Sequence, residues 1–226
     1  SRGLGDVYKR QGKSHFLKIL SYLLSNQEVC GKRAIDYFAD KFDDPMMYAQ
    51  AVKSVSVPTQ SILFNIDIEG PLTKDKTAVL RVFAKMFYNH CGFYGDDLKI
   101  AKLERFIEKQ GKTQQFREAF EKVNGAPWTE TRDSFAFFED DIVSVLQSTL
   151  GMSEQAARNW FNGEETNELS IAQLVADIQE YVDGKGKDFR LLFMVDEVGQ
   201  YIGDDGDLMI NLQSLVEEIG IRCHGK

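Results

Sequence analysis

Two short groups of residues have the types and spacing that phosphate and metal chemistry needs. The first is Gly12-Lys13-Ser14, which precedes an apolar helical run in QGKSHFLKILSYLL, residues 11–24. A phosphate-binding loop ends in this way, and its full pattern is G-x-x-x-x-G-K-[ST]. In such a loop the lysine reaches the β- and γ-phosphates, and the serine or threonine hydroxyl binds Mg²⁺. That pattern has its first glycine where this chain has Val7. The front half of the motif is therefore missing.

The second group stands at the end of an apolar run in LLFMVDEVGQYIG, residues 191–203. Asp196 and Glu197 follow that run, and a buried strand of an open α/β sheet delivers its last residues to the edge where ligands bind. Asp196 is predicted to hold Mg²⁺, largely through water, because Mg²⁺ keeps much of its hydration shell. Glu197 is predicted to be the general base that polarises an attacking water. Each motif alone is common by chance, but the two in this order predict a site for ATP and Mg²⁺.

The candidate cofactor-binding residues are the four around the first motif: Gly12, Lys13, Ser14 and His15. Lys13 is expected to contact the phosphates and, with Glu197, is a catalytic candidate. Ser14 and Asp196 are the metal candidates. His15 is within reach of a phosphate or ribose in such a site, although capping or packing is the simpler interpretation of it.

The elements that must position these groups follow from the spacing of apolar residues. A helix is predicted over 14–25, beginning near Lys13, so that its N-terminal N–H groups and its dipole point at the phosphates. Strands buried on both faces are predicted at 61–68 and 189–195. Helical spacing dominates between them. The predicted fold class is therefore α/β, a partial P-loop NTPase core.

The distance along the chain between Lys13 and Asp196 is longer than a compact nucleotide-binding core needs. The mainly helical stretch 72–187 is therefore predicted to be a large insertion between core strands. Residues 12–71 then form the N-terminal part of the core, and residues 188–226 continue it with the acidic (Walker B) strand and are truncated.

The first eleven residues, SRGLGDVYKRQ, differ in character from the rest. One choice of codons for residues 6–11 spells GATGTGTATAAGAGACAG, which resembles a transposon-end adapter of sequencing libraries. We interpret residues 1–11 as a non-native segment translated from adapter and leave them out of fold reasoning. A genuine flexible N-terminus is the alternative.

Composition bears on the class of protein. The net charge of −8 does not favour direct binding of a nucleic-acid backbone, which depends on clustered Lys and Arg. No apolar run is long enough for a transmembrane helix, and the N-terminus lacks the apolar core of a signal peptide. The three cysteines, Cys30, Cys91 and Cys223, are odd in number and far apart, which does not indicate a disulfide framework. A cytoplasmic protein without a membrane partner is expected.

The segments GKSHFLKILSYLL and FMVDEVGQYIG resemble the corresponding parts of the BrxC/PglY-type P-loop ATPases of BREX phage-defence systems. Those are large bacterial proteins related to the AAA+ class. The resemblance covers roughly residues 12–226, and the helices between the two segments are compatible with the long insertion of that family. It implies an AAA+-like core that hydrolyses ATP within a complex that distinguishes or restricts phage DNA.

The resemblance also implies partners and site roles. The partners would be other BREX-type defence proteins, with oligomerisation of the parent protein and any contact with DNA made through the assembly. Phosphate and metal binding carry over to Gly12, Lys13 and Ser14, and metal and water binding to Asp196 and Glu197. The loop glycines, the sensor residue and any arginine finger are absent here, so this chain alone is expected to bind ATP poorly and hydrolyse little.

Other functions remain open at this point. A STAND-like signalling ATPase that uses nucleotide as a switch has both motifs. A non-enzymatic helical interaction scaffold would make Gly12-Lys13-Ser14 incidental. A small-molecule kinase fits less well, because an Asp-Glu pair after a buried strand favours the activation of water.

Two further features are interpreted as structural. A second Gly-Lys-Thr, residues 111–113, follows a helix instead of an apolar strand, and Gly111 is predicted to end that helix. Trp128 and Trp160 are predicted to pack in a core or interface in preference to stacking on nucleic-acid bases.

Overall fold

The computed structural model describes residues 4–162 and 169–225. The chain divides into two compact units. Unit 1 is built from residues 1–82 and 171–226, and unit 2 from the continuous stretch 83–170. Unit 2 thus lies inside the stretch predicted as an insertion. Residues 1–3 of the presumed adapter segment lie outside the described residues.

The elements of unit 1 come from both ends of the chain. Its helices are α1 (Leu4–Ser25), a 3₁₀ helix (Ala34–Lys41), α2 (Pro45–Val55), α3 (Ile66–Glu69), α10 (Ile171–Gly184), α11 (Val198–Ile202) and α12 (Gly206–Arg222). Its strands are β1 (Glu28–Val29), β2 (Lys32–Arg33), β3 (Thr59–Asn65) and β4 (Arg190–Asp196). Helix α4 (Ala78–His90) begins in this unit and continues into unit 2.

The two predicted core strands form and pair with each other. β3 and β4 run parallel, with Thr59 opposite Arg190 and Asn65 opposite Asp196. Parallel strands share the edge at which their carboxyl ends lie. Asn65 and Asp196 therefore stand side by side at that edge.

Helix α1 packs on this sheet along a face that contains serines as well as apolar residues. The Ser61 hydroxyl of β3 hydrogen-bonds the hydroxyls of Ser21 and Ser25, at 2.5 and 2.9 Å between oxygens. The helix was predicted to begin near Lys13, and this is wrong, since it begins at Leu4. It ends where Asn26 adopts a left-handed conformation with φ 42°, which asparagine tolerates.

The first core strand is shorter than predicted at its carboxyl end. It stops at Asn65, and the next four residues form the short helix α3. The reason is a local cap: the Asn65 side-chain oxygen accepts hydrogen bonds from the backbone N–H groups of Asp67 and Ile68, at 2.9 and 3.2 Å. Asparagine is among the best helix N-caps. The apolar residues at alternate positions up to residue 68 are typical of a strand, so the sequence pattern did not reveal that Asn65 caps a helix.

Unit 2 contains helices and connecting turns, and no strand, among its described residues. Its remaining helices are α5 (Leu98–Lys109), α6 (Thr113–Asn124), α7 (Trp128–Thr131), a 3₁₀ helix (Arg132–Phe137), α8 (Glu139–Leu150) and α9 (Glu154–Asn162). The predicted packing role of Trp128 is confirmed, because its ring is buried edge-on against Phe116 and Phe120, with centroids 5.3 and 5.1 Å away. Gly111 follows α5 with φ 66°, as its predicted role as a helix stop requires.

The predicted fold class holds in its coarse form. The described residues are mostly helical, with one parallel and one antiparallel pair of strands. Within the described ranges, no helix combines the length and the apolar character that crossing a membrane would take.

Candidate functional site

The two sequence motifs meet in the folded chain. The Ser14 hydroxyl, on α1, donates a short hydrogen bond to the carboxylate of Asp196, at the end of β4. The two residues are 182 positions apart in the sequence. Both side chains are half-buried at the carboxyl edge of the parallel strands. The pair that was predicted to share a metal ion is thus assembled by the fold.

The backbone around Asp196 and Glu197 forms a tight turn. The backbone N–H of Glu197 donates to the second carboxylate oxygen of Asp196, at 2.9 Å. Glu197 itself has φ 60° and ψ 22°, the left-handed region, and leads directly into α11. A non-glycine residue in that region costs of the order of 1–2 kcal/mol. Such conformations cluster at functional sites, where the surrounding structure holds them in place.

The remaining residues of the first motif lie on the surface of α1. Gly12, Lys13 and His15 are exposed. All three are inside the helix, where backbone N–H groups bond carbonyls four residues earlier in the chain. In this conformation their N–H groups are not presented to an anion, and the phosphate-binding loop is not formed.

The short helix α11 is held in place by residues that sequence reasoning missed. The ammonium of Lys74 donates to the carbonyl oxygen of Tyr201 at 3.1 Å and lies 4.1 Å from the centre of its ring. The same ammonium is 3.7 Å from the carboxylate of Asp67 on α3. The Gln200 side chain also donates to Asp67, at 3.3 Å. These contacts hold α11 against α3. Because Glu197 directly precedes α11, they also bear on the position of Glu197.

Tyr201 is buried under this cluster, with 3% of its surface exposed. Its hydroxyl has no hydrogen-bond partner among the described residues. Burial raises the pKa of Tyr201, because the charged phenolate is disfavoured away from water. Gly70 makes this packing feasible: a Cβ at that position would lie 2.8 Å from the tyrosine hydroxyl. Nothing in the sequence marked Lys74, which is far from both motifs, or Gly70, which follows α3, as part of this cluster.

The donor set fits a hard cation. A serine hydroxyl and a carboxylate, both oxygen donors, are what Mg²⁺ takes when phosphates and waters complete its shell. Among the described residues no group of three or more His, Cys, Asp or Glu side chains is placed to hold a metal ion. The hydroxyl–carboxylate pair is too small a set to bind Mg²⁺ firmly without a phosphate ligand.

Comparison with known proteins adds no family assignment. No family model matches the chain, and no solved structure is significantly similar to it. Support for a function comes from the geometry of the site and from the resemblance of the two motif segments.

Proposed function

We propose that unit 1 is part of the nucleotide-binding core of a P-loop ATPase. One observation carries the proposal: Ser14 and Asp196, chosen from separate motifs, hydrogen-bond each other at the end of a parallel strand. In the proposed site both would bind Mg²⁺, which supplies positive charge to the phosphates.

We assign the other roles from the positions of the residues in the two motifs. Lys13, next to Ser14 and exposed, is free to extend toward the β- and γ-phosphates of ATP. Glu197, next to Asp196, would accept a proton from the water that attacks the γ-phosphate. Gly12 would allow the backbone to approach the phosphates, and His15 would touch a phosphate or the ribose. Cofactors of the proposed enzyme are ATP and Mg²⁺.

The wider context of the proposal is a BREX-type phage-defence complex in the cytoplasm. It rests on the two motif segments described above. The partners would be other defence proteins of the same system, in an oligomeric assembly. The net charge of −8 does not favour direct binding of DNA by this chain, so any contact with DNA would be made by other members of that assembly.

One observation favours a second candidate, a non-enzymatic helical scaffold. Helix α1 passes through Gly12, Lys13 and Ser14 without forming a loop. Under the ATPase proposal, the first turns of α1 must unwind before they can bind phosphate. This unwinding costs free energy, so the chain binds ATP weakly. Under the scaffold proposal they stay helical in the presence of nucleotide.

The test measures nucleotide binding by the chain, with Mg²⁺ and without it, by titration calorimetry. Ser14→Ala and Asp196→Asn should abolish the Mg²⁺-dependent part of ATP binding, and Lys13→Ala should abolish ATP binding itself. Lys18→Ala is the matched control, because Lys18 is an exposed lysine on the same helix. Steady-state turnover of the parent protein completes the test: Glu197→Gln should bind ATP and fail to hydrolyse it.

The outcomes separate the two candidates. Loss of binding with Lys13→Ala but not with Lys18→Ala supports the ATPase. ATP binding that is detected in the unmodified protein and is unchanged in all five variants would make both motifs coincidental and leave the scaffold.

A further inference from the structure

Unit 2 contains a cavity that the proposed function does not use. It has a volume of about 130 Å³ and lies between α5, α6 and Trp128. Ile107, Phe116 and Trp128 form its apolar wall, and all three are at most 2% exposed. An engineered apolar cavity of about 150 Å³ is large enough to bind benzene. The space therefore suits a ligand with a single aromatic ring.

Two buried polar groups line the same cavity. One is the carboxylate of Glu104, which is buried in the helical core. The other is the Thr113 hydroxyl, whose oxygen is buried and has no hydrogen-bond partner among the described residues. A buried hydroxyl without a partner costs free energy, so this group is available to a ligand or to water.

The charge of Glu104 is already balanced. Its carboxylate accepts hydrogen bonds from the backbone N–H of Tyr94 at 2.6 Å, the indole of Trp128 at 2.7 Å and the guanidinium of Arg132 at 2.9 Å. A carboxylate offers about four acceptor positions, so one more donor can bind. A cationic ligand would gain little from a carboxylate that Arg132 has already neutralised, and an anionic group could not donate a hydrogen bond to that carboxylate.

We propose that this cavity is a binding site for a small neutral aromatic alcohol of the phenol class. A phenolic hydroxyl can both accept a hydrogen bond from Thr113 and donate one to Glu104, while its ring packs against Trp128. Exposed Glu108 and Arg117 line the cavity on its solvent side and give the ligand a way in.

The experiment is an NMR titration of the full chain with phenol and, separately, with benzene. The indole N–H resonance of Trp128 is the reporter, because this ring lines the cavity. Phenol should shift it saturably and bind more tightly than benzene. Thr113→Val should weaken phenol binding about fivefold and change benzene binding less than twofold. Thr129→Val makes the same replacement at an exposed threonine and should change neither.

Each remaining outcome counts against the proposal. If the Trp128 resonance shows no saturable shift at phenol concentrations that leave the protein folded, phenol does not bind and the cavity holds water alone. Equal affinity for phenol and benzene that Thr113→Val leaves unchanged would show that the polar groups do not recognise a ligand. The free Thr113→Val protein must keep a dispersed Trp128 signal, which establishes that the variant is folded.

Discussion

Replacing Glu104 with alanine should destabilise unit 2 more than any single surface change. The side chain is 7% exposed and its partner Arg132 is 22% exposed. Removing one partner of a buried ion pair typically costs about 3–5 kcal/mol. Arg132 would recover part of its hydration, whereas the N–H groups of Tyr94 and Trp128 would lose their acceptor, at about 1–3 kcal/mol for each buried group. We expect a loss of about 3 kcal/mol in the free energy of unfolding.

The assay is urea denaturation followed by tryptophan fluorescence. Both tryptophans of the chain, Trp128 and Trp160, lie in unit 2, so the signal reports the unfolding of that unit. Glu108→Ala is the matched control, one turn further along α5 and exposed, and should change stability by less than about 0.5 kcal/mol. Arg132→Ala should cost less in the Glu104→Ala background than alone, because the two side chains interact. Equal losses for Glu104→Ala and Glu108→Ala, or strict additivity with Arg132→Ala, would refute the reasoning.

Three further changes probe the α3–α11 cluster of unit 1. Gly70→Ala places a Cβ 2.6 Å from the carbonyl oxygen of Ile66, so it should destabilise by about 1–3 kcal/mol in chemical denaturation, and a neutral result would contradict the close packing. Glu197→Gly relieves the left-handed conformation and should raise stability by up to about 1 kcal/mol while abolishing any ATP turnover; lower stability would show that the conformation is not strained. Tyr201→Phe removes an unpartnered hydroxyl and should change stability at neutral pH by less than about 0.5 kcal/mol. Because burial raises the pKa of Tyr201, the folded chain keeps the phenol proton at pH values where the unfolded chain releases it, so the fold loses stability as pH rises above about 10. Thermal melts across that range should show a smaller loss for Tyr201→Phe.

The sequence predicted the elements with long, strongly periodic patterns and missed those set by single side chains. The strand predicted at 189–195 forms as β4, displaced by one residue, because a run of apolar residues bounded by polar ones is typical of a strand. The prediction that this strand is buried on both faces is wrong, since only Leu191 and Met194 of its residues are buried. The strand predicted at 61–68 included α3, since apolar residues at alternate positions do not reveal that Asn65 caps a helix. A local hydrogen bond decided between two conformations that the pattern allowed.

The site was predictable to the extent that it depends on residue type. Ser14 and Asp196 were paired by their chemistry, and the fold places them in contact. Lys74 and Tyr201 carry no such signature, because a cation over a ring depends on how two short helices meet. The beginning of α1 was missed because residues 1–11 were interpreted as adapter-derived, although no proline there prevents a helix.

The parallel pairing of β3 with β4 has a consequence for how the chain reaches its fold. All of unit 2 lies between Thr59 and its partner Arg190, so the sheet closes a very long loop, whereas the contacts of unit 2 are among neighbouring helices. Proteins with local contacts fold faster than those that depend on distant pairings. On the ribosome, β3 emerges long before β4. Its apolar residues Ile62 and Phe64, which are buried in the folded chain, stay unpaired until the partner strand has been synthesised. Unit 2 should therefore fold first, and the early part of unit 1 is where a nascent chain is most exposed to aggregation and most in need of a chaperone.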